Sequence, residues 1–242
     1  MLNPFSIRIE QVSKRFKDKT VLLDIQLQIS SSEIFGLLGP SGSGKTTLVR
    51  MIAGIDTPSS GEVYVLDHVM PKLSMMNHIG YMAQSDALYN ELTAIENLDF
   101  FASLFGLQGA KRKKRILEIM ELVNLHEHIN KQIASYSGGM KRRLSLAISL
   151  LHAPEILILD EPTVGIDPVL RKSIWQELEQ LSASGTAILV TTHVMDEADK
   201  CHRLGMLRDG SLIAVGTPSE LKQATSSSSI EEAFLYYGGA RI

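Results

Sequence analysis

Apolar residues recur along this chain with two different periods, and the change of period divides it into regions. Ile7 and Ile9 alternate with Arg8 and Glu10, and Leu23, Ile25, Leu27 and Ile29 alternate with Asp24, Gln26 and Gln28. Successive strand side chains point to opposite faces, so this alternation predicts two half-buried antiparallel strands. Between them, Lys14-Arg15-Phe16-Lys17-Asp18-Lys19 reads as a polar turn carrying one aromatic. Phe16 either tucks into a small sheet or offers a platform for stacking a base. Other apolar runs are unbroken: Ile34-Phe35-Gly36-Leu37-Leu38, Ile156-Leu157-Ile158-Leu159 and Ala187-Ile188-Leu189-Val190. Such runs predict strands of a parallel sheet, the last two buried on both faces. Gly61 to Leu66 and Ile79 to Gln84 predict shorter strands, the second ending on a polar amide.

From residue 85 to Ser137 the period lengthens to that of a helix. Leu98, Phe101, Ala102 and Phe105 form one apolar face, and Ile116, Ile119, Met120 and Val123 form a second. A helix after Ser137 carries Leu144, Ala147, Ile148 and Leu151; another, started by Pro168, carries Leu170, Ile174, Leu178 and Leu181 and ends at Gly185. The alternation of strand and helix predicts an α/β fold with a mostly parallel sheet covered on both faces. The expected division is a core with an N-terminal antiparallel β subdomain (about residues 1–84 and 154–224) and an inserted α-helical subdomain (about 85–153). Near the end, Leu207 to Leu212 reads as a hairpin and Thr217-Pro218-Ser219-Glu220 as a capping box. A short tail, 225–242, holds a flexible link at Ser226 to Ser229 and a last helix from Ile230 to Tyr237.

Composition narrows the classes. With 242 residues, 44% hydrophobic and 21% charged, the chain has enough apolar material for a proper core. Its net charge of -3 weighs against nucleic acid as a partner. Met1-Leu2-Asn3-Pro4 is no secretory leader, and no apolar run approaches the ~18 residues of a membrane span, so a soluble cytosolic protein is expected. Cys201 is the only cysteine, which excludes an intrachain disulfide, and the histidines lack metal-ligand spacing. Lys111-Arg112-Lys113-Lys114-Arg115 suggests anionic lipid or nucleic acid, but at the start of an amphipathic helix the solvated-face reading is preferred.

The candidate chemistry begins at Gly39-Pro40-Ser41-Gly42-Ser43-Gly44-Lys45-Thr46, which fits G-x-x-x-x-G-K-[ST] between a predicted strand and the helix of Thr47-Leu48-Val49-Arg50-Met51-Ile52-Ala53. Glycines there turn backbone N–H groups toward a phosphate chain, and the helix dipole favours its charge. Lys45 is placed to reach the β and γ phosphates and Thr46 to ligate Mg²⁺. Ser137-Gly138-Gly139 opens a second helix and makes a second candidate anion site, or simply a cap. Asp160 and Glu161 end an apolar strand, at the sheet edge where α/β proteins bind ligands. Asp160 suits an Mg²⁺ partner, directly or at one remove; Glu161, expected to face the other way on extended backbone, suits holding a water. His193 ends another strand on the same side.

Taken in order, the phosphate loop, Gln84, Ser137-Gly138-Gly139, Leu159-Asp160-Glu161, Gly165-Ile166-Asp167 and His193 resemble the ATP-binding-cassette ATPases, specifically the nucleotide-binding subunits of ABC transporters, from about Ile7 to about Leu221. The resemblance implies a P-loop NTPase core binding ATP and Mg²⁺. Lys45 and Gly39 through Thr47 would hold the phosphates, Phe16 would stack on adenine where tyrosine is commoner, and Thr46, Gln84 and Asp160 would hold the metal. It implies Glu161 as general base, His193 as the switch histidine on the γ-phosphate and Gln84 as the residue touching metal, attacking water and membrane partner. Ser137, Gly138 and Gly139 would contact the γ-phosphate held by the other protomer of a head-to-tail dimer, and Asp167 would couple the two sites. Tyr136 and Met140 depart from the commonest form; Met140 followed by Lys141-Arg142-Arg143 is similar to drug-resistance and ABC-2 type exporters. Val164 stands where a small polar residue is frequent.

The expected function is therefore an ATPase subunit, peripheral on the cytoplasmic face of the cell membrane. It would pair with itself or a paralogous ATPase and drive transport, with export favoured, through an integral membrane subunit. The competing readings are a soluble ABC ATPase acting on nucleic acid or ribosomes, and an inactive module that binds ATP only to assemble.

Overall fold

A computed structural model of the chain describes residues 4–239. Met1 to Asn3, on which the leader reading rests, and residues 240–242 of the expected tail lie outside the described residues. The strands are β1 (Phe5–Phe16), β2 (Lys19–Ser30), β3 (Ile34–Leu38), β4 (Ser60–Val65), β5 (His68–Val69), β6 (Ile79–Met82), β7 (Ile156–Asp160), β8 (Ala187–Thr192), β9 (Arg203–Arg208) and β10 (Ser211–Gly216). They form two sheets. One, in the order β2-β1-β4-β5, is antiparallel throughout; the other runs β10-β9-β3-β8-β7-β6, parallel except for the β9–β10 hairpin.

The unbroken runs became the central strands because the sheet is apolar on both sides. Phe35, Leu37, Ile156, Ile158, Ala187 and Leu189 face a core shared with β1, β2, β4 and helix α1 (Lys45–Ile52). Ile34, Leu38, Leu157, Leu159, Ile188 and Val190 face the opposite core, closed by the remaining helices. An alanine at one of the buried leucines or isoleucines costs about 2–5 kcal/mol through lost transfer energy and the cavity left behind.

The alternating strands paired as expected, but β2 breaks phase at Leu23. Leu23, expected on the buried face, is 58% exposed, while Leu22 is fully buried. The cause is Asp24: its φ is 46°, its N–H donates to Ser13 Oγ at 2.9 Å, and the β1–β2 register shifts nearby. One residue out of extended conformation moves the neighbouring side chains to the other face. Asp209 and Gly210 both take positive φ, 47° and 80°, as a two-residue hairpin between right-twisted strands requires.

Three helices fill the region between β6 and β7: α2 (Ala94–Leu104), α3 (Gly109–Leu122) and α4 (Gly138–Leu150). Thr93 and Glu96 cap α2 reciprocally. The basic run lies on α3, where Arg112 pairs with Asp99 at 3.1 Å and Arg115 turns inward, donating to the carbonyls of Leu150 and Leu151. The run thus partly ties α3 to α4. After β7 come α5 (Pro168–Ala183), α6 (Met195–Ala198), α7 (Pro218–Ala224) and α8 (Ile230–Tyr237). The link expected to be flexible is a hydrogen-bonded turn: Thr225 Oγ1 bonds Ser227 Oγ, Ser228 bonds Glu232, and Ser229 caps α8. Ile230 and Ala233 are fully buried, so α8 is docked. Among the described residues no helix is long and apolar enough to cross a membrane.

Candidate functional site

The parallel strands deliver their C-terminal ends to one edge, and the loop from Gly39 to Gly44 begins there. Gly44 is the N-cap of α1 with φ 108°, and no side chain caps this helix. The first-turn N–H groups are therefore left for a ligand, the arrangement that favours an anion. Lys45 is 5% exposed, and its Nζ donates to the carbonyls of Gly39 at 2.7 Å and Pro40 at 3.1 Å, folding it back over the loop. Burial pushes the Lys45 ammonium below the usual lysine range, while the nearby charges of Glu161 and Asp160 oppose the shift. A cavity of about 250 Å³ opens here, lined by Val21, Ser41, Gly42, Gly44, Lys45, Thr46, Thr47, Gln84 and Glu161. Ser43 Oγ is buried beside it without a partner.

Asp160, the last residue of β7, is 1% exposed. Its Oδ1 accepts a hydrogen bond from Thr191 Oγ1 on the neighbouring strand, whereas Oδ2 is buried with no partner. An unpaired carboxylate oxygen at a polar strand end is costly unless something else takes it up. Glu161 corrects the sequence reading. It is not extended: its φ of 54° puts it in the left-handed region, and its N–H donates to both the carbonyl and the hydroxyl of Thr191. That turn, made as the strand ends, swings the side chain over the cavity. Its carboxylate accepts from Gln84 Nε2 at 3.4 Å and lies 3.0 Å from His193 Nδ1.

Sequence reasoning missed what holds this corner. Arg142 on α4 is 6% exposed and donates to the carbonyls of Ala83 (2.6 Å), Gln84 (3.0 Å), Asp160 and Glu161 (2.8 Å). The available signal was a charged residue spaced four and seven residues before Leu146 and Ser149, both buried. Glu197, 2% exposed, accepts from Thr163 Oγ1 and, at 2.7 Å, from Thr192 Oγ1, joining the loop after Glu161 to the strand end before His193.

Three predicted groups stand elsewhere. Phe16 ends β1 on the hairpin, 48% exposed and 4.8 Å from Lys14 Nζ, outside the cavity lining. Its tucking into the sheet is excluded by that exposure. Ser137 is the N-cap of α4, accepting from Met140 N–H at 3.2 Å; Ser137 and Gly138 are exposed, and none of Ser137 to Gly139 lines the cavity. Asp167 caps α5, accepting from Val169 and Leu170.

A family model described as ABC transporter matches residues 22–164. The chain belongs to the ABC transporter family. It is 39% identical to the probable multidrug ABC transporter ATP-binding protein YbhF of Escherichia coli (strain K12), the match covering 95% of this chain and 41% of YbhF. The chain thus spans less than half the length of that relative. Identity is also 39% to the linearmycin resistance ATP-binding protein LnrL of Bacillus subtilis (strain 168), over 95% of this chain and 77% of LnrL. Among solved structures it resembles the ATP-binding cassette MJ0796 in a dimeric post-hydrolysis state bound to ADP and Pi, with TM-score 0.82, 28% identity and coverage of 87% of this chain and 98% of that one. The fold is that of an ABC cassette.

Proposed function

We propose that this cassette binds Mg-ATP between its own phosphate loop and the Ser137-Gly138-Gly139 helix start of a second cassette, hydrolyses it with Glu161 and powers export through a separate membrane subunit. The observation that carries the reading is the Glu161 carboxylate, bridged by Gln84 and His193 over a cavity floored by Lys45 and an uncapped helix. In this scheme Lys45 and the α1 N–H groups neutralise the β and γ phosphates. Gln84 orients the attacking water, and Glu161 accepts its proton as the oxygen bonds to the γ-phosphorus and the bond from that phosphorus to the β–γ bridging oxygen breaks, releasing ADP and inorganic phosphate. The His193 ring, one nitrogen engaged by Glu161, turns its other nitrogen to the γ-phosphate. Phe16 stacks on the base.

Thr46, Gln84 and Asp160 are the residues that would hold Mg²⁺, which when bound neutralises phosphate charge. The buried, unpartnered Oδ2 of Asp160 fits that group. A sparse set of protein ligands suits a hydrated ion that also takes phosphate oxygens. Export is supported by the names of the relatives, YbhF for multidrug transport and LnrL for linearmycin resistance. The membrane subunit would hold the cassette at the cytoplasmic face, and the second cassette is another copy or a paralogue.

Glu161→Gln tests the scheme. It preserves size and hydrogen bonding but removes the base, so steady-state phosphate release should fall by the ~10²–10⁴-fold typical of general-base loss, with ATP still bound. The variant should then accumulate with Mg-ATP as a closed dimer on size-exclusion chromatography, and adding Ser137→Arg should return it to monomer. Hydrolysis at the parental rate would remove Glu161 from the role of base. A monomer with ATP bound would remove the shared site.

A further inference from the structure

Four backbone carbonyls converge on one buried guanidinium, and they come from two segments that the proposed reaction needs in register. Ala83 and Gln84 follow β6; Asp160 ends β7 and Glu161 follows it. Arg142 itself belongs to neither. It stands on α4, five residues beyond the Ser137 cap, or about 7.5 Å along the helix axis. We propose that Arg142 is a positioning residue for ATP hydrolysis, transmitting the placement of the Ser137 helix start to Gln84 and Glu161 through the carbonyls it holds. The inference rests on the reading of the site given above and deepens it.

The geometry supports transmission rather than simple charge pairing. The carboxylate nearest to Arg142 is Asp86, at 3.7 Å, longer than each of the measured carbonyl bonds. The positive charge is therefore spread over carbonyl dipoles, an arrangement that needs the planar fork of an arginine. Glu161 is gripped on both sides of its left-handed residue, its N–H by Thr191 and its carbonyl by Arg142. With the backbone so fixed, the carboxylate's reach to Gln84 and His193 is fixed as well. Gln84 is held through its own carbonyl and that of Ala83. A second tie runs in parallel, since Ser145 of α4 donates to Asp86 at 2.8 Å. Any displacement of α4, such as a phosphate drawing on its first turn would produce, moves both carbonyl pairs together. A misplacement of this kind affects the reacting geometry far more than the binding of nucleotide.

The test compares Arg142→Gln, Arg142→Lys and Gln84→Ala, singly and with Arg142→Gln and Gln84→Ala combined, in the full chain. ATP affinity, kcat, KM and thermal midpoint are measured for each. Arg142→Gln should lower kcat about 10- to 100-fold while the ATP dissociation constant stays within about threefold. Arg142→Lys, which keeps the charge and loses the fork, should recover only part of the rate. Because the arginine acts through Gln84 and Glu161, the combined variant should lose much less than the product of the two single losses. Parental kcat in Arg142→Gln overturns the inference, as do equal losses in affinity and rate, or fully multiplicative losses in the combined variant. Should Arg142→Gln fail to fold, Arg142→Lys carries the same comparison. A parental chain that neither binds nor hydrolyses ATP overturns the reading of the site itself, whereas a turning-over parent matched by Arg142→Gln overturns this inference alone.

Discussion

Helices α1 and α4 both start at a glycine, Gly44 as the N-cap of one and Gly138 as the first residue of the other, yet one start is walled in and finished and the other lies open. At α1 no side chain caps the helix, Lys45 lies folded under it, and a walled cavity stands over its N–H groups. At α4 the helix is capped by its own Ser137, Ser137 and Gly138 are exposed, and a Cβ built on Gly138 meets nothing within 4 Å. Gly139 has one near neighbour, the carbonyl of Gly165, 3.2 Å from where its Cβ would stand. The difference teaches how one chain could supply two unlike halves of the proposed site. In the proposed function the first half would carry the affinity, and the second, open to solvent, would acquire a ligand when another cassette brings one.

The largest expected contrast is in nucleotide affinity. Lys45→Ala removes the charge partner of the phosphates, and with ~1.5–3 kcal/mol net for a hydrogen bond to a charged group, the affinity of the isolated chain should fall about tenfold or more. Ser137→Arg, changed at the open half, should leave that affinity within about twofold. Isothermal titration of both variants decides it; equal losses would erase the distinction between the two ends. The alkaline limb sharpens the point. Burial lowers the Lys45 pKa, so as pH rises the ammonium loses its charge earlier than an ordinary lysine with its pKa of 10.5. ATP affinity should weaken there in the parent and in Ser137→Arg, but not in Lys45→Ala.

A smaller contrast lies in stability. Gly44 has φ 108°, and a Cβ there would stand 2.6 Å from Leu22 Cδ2 and 3.1 Å from the Val21 carbonyl. Gly44→Ala should therefore cost about 1–3 kcal/mol from backbone strain. In a chain of this size each kcal/mol lowers the melting temperature by about 2–4 °C. A parental melting temperature would mean the loop relaxes without strain.

The finished half was the more legible in the sequence, for a physical reason. Gly39 to Thr46 is contiguous, so its chemistry and its flanking strand and helix are all local, and the apolar runs at Ile156 and Ala187 placed the sheet that presents it. The acidic corner is assembled from β6, β7, β8 and α4, and its geometry depends on tertiary hydrogen bonds. The left-handed turn at Glu161 is held by Thr191, thirty residues away in sequence, and by Arg142. Neither partner carries a local signal of that task. The slip at Leu23 has the same origin: Asp24 leaves the extended region where it bonds to Ser13 across the hairpin, and alternation alone does not reveal that.

The smallest effect is the most discriminating, because it has opposite signs in two measurements. Gly138 is the first residue of α4, does not share the positive φ of Gly44, and leaves open space where a Cβ would go. Gly138→Ala should stabilise the isolated chain by about 0.4–1 kcal/mol, chiefly by restricting the unfolded chain. Nucleotide binding by the isolated chain should not change, since Gly138 does not line the cavity. In the proposed dimer the same methyl group would stand where a second cassette's phosphate approaches the helix start, so adding it to Glu161→Gln should weaken the ATP-dependent dimer. Differential scanning calorimetry of the single variant and size-exclusion chromatography of the double variant read the two signs. A stabilised chain whose dimer persists unchanged would show that α4 is a capped helix and nothing more; a destabilised chain would show that its open surface is already in use within the fold.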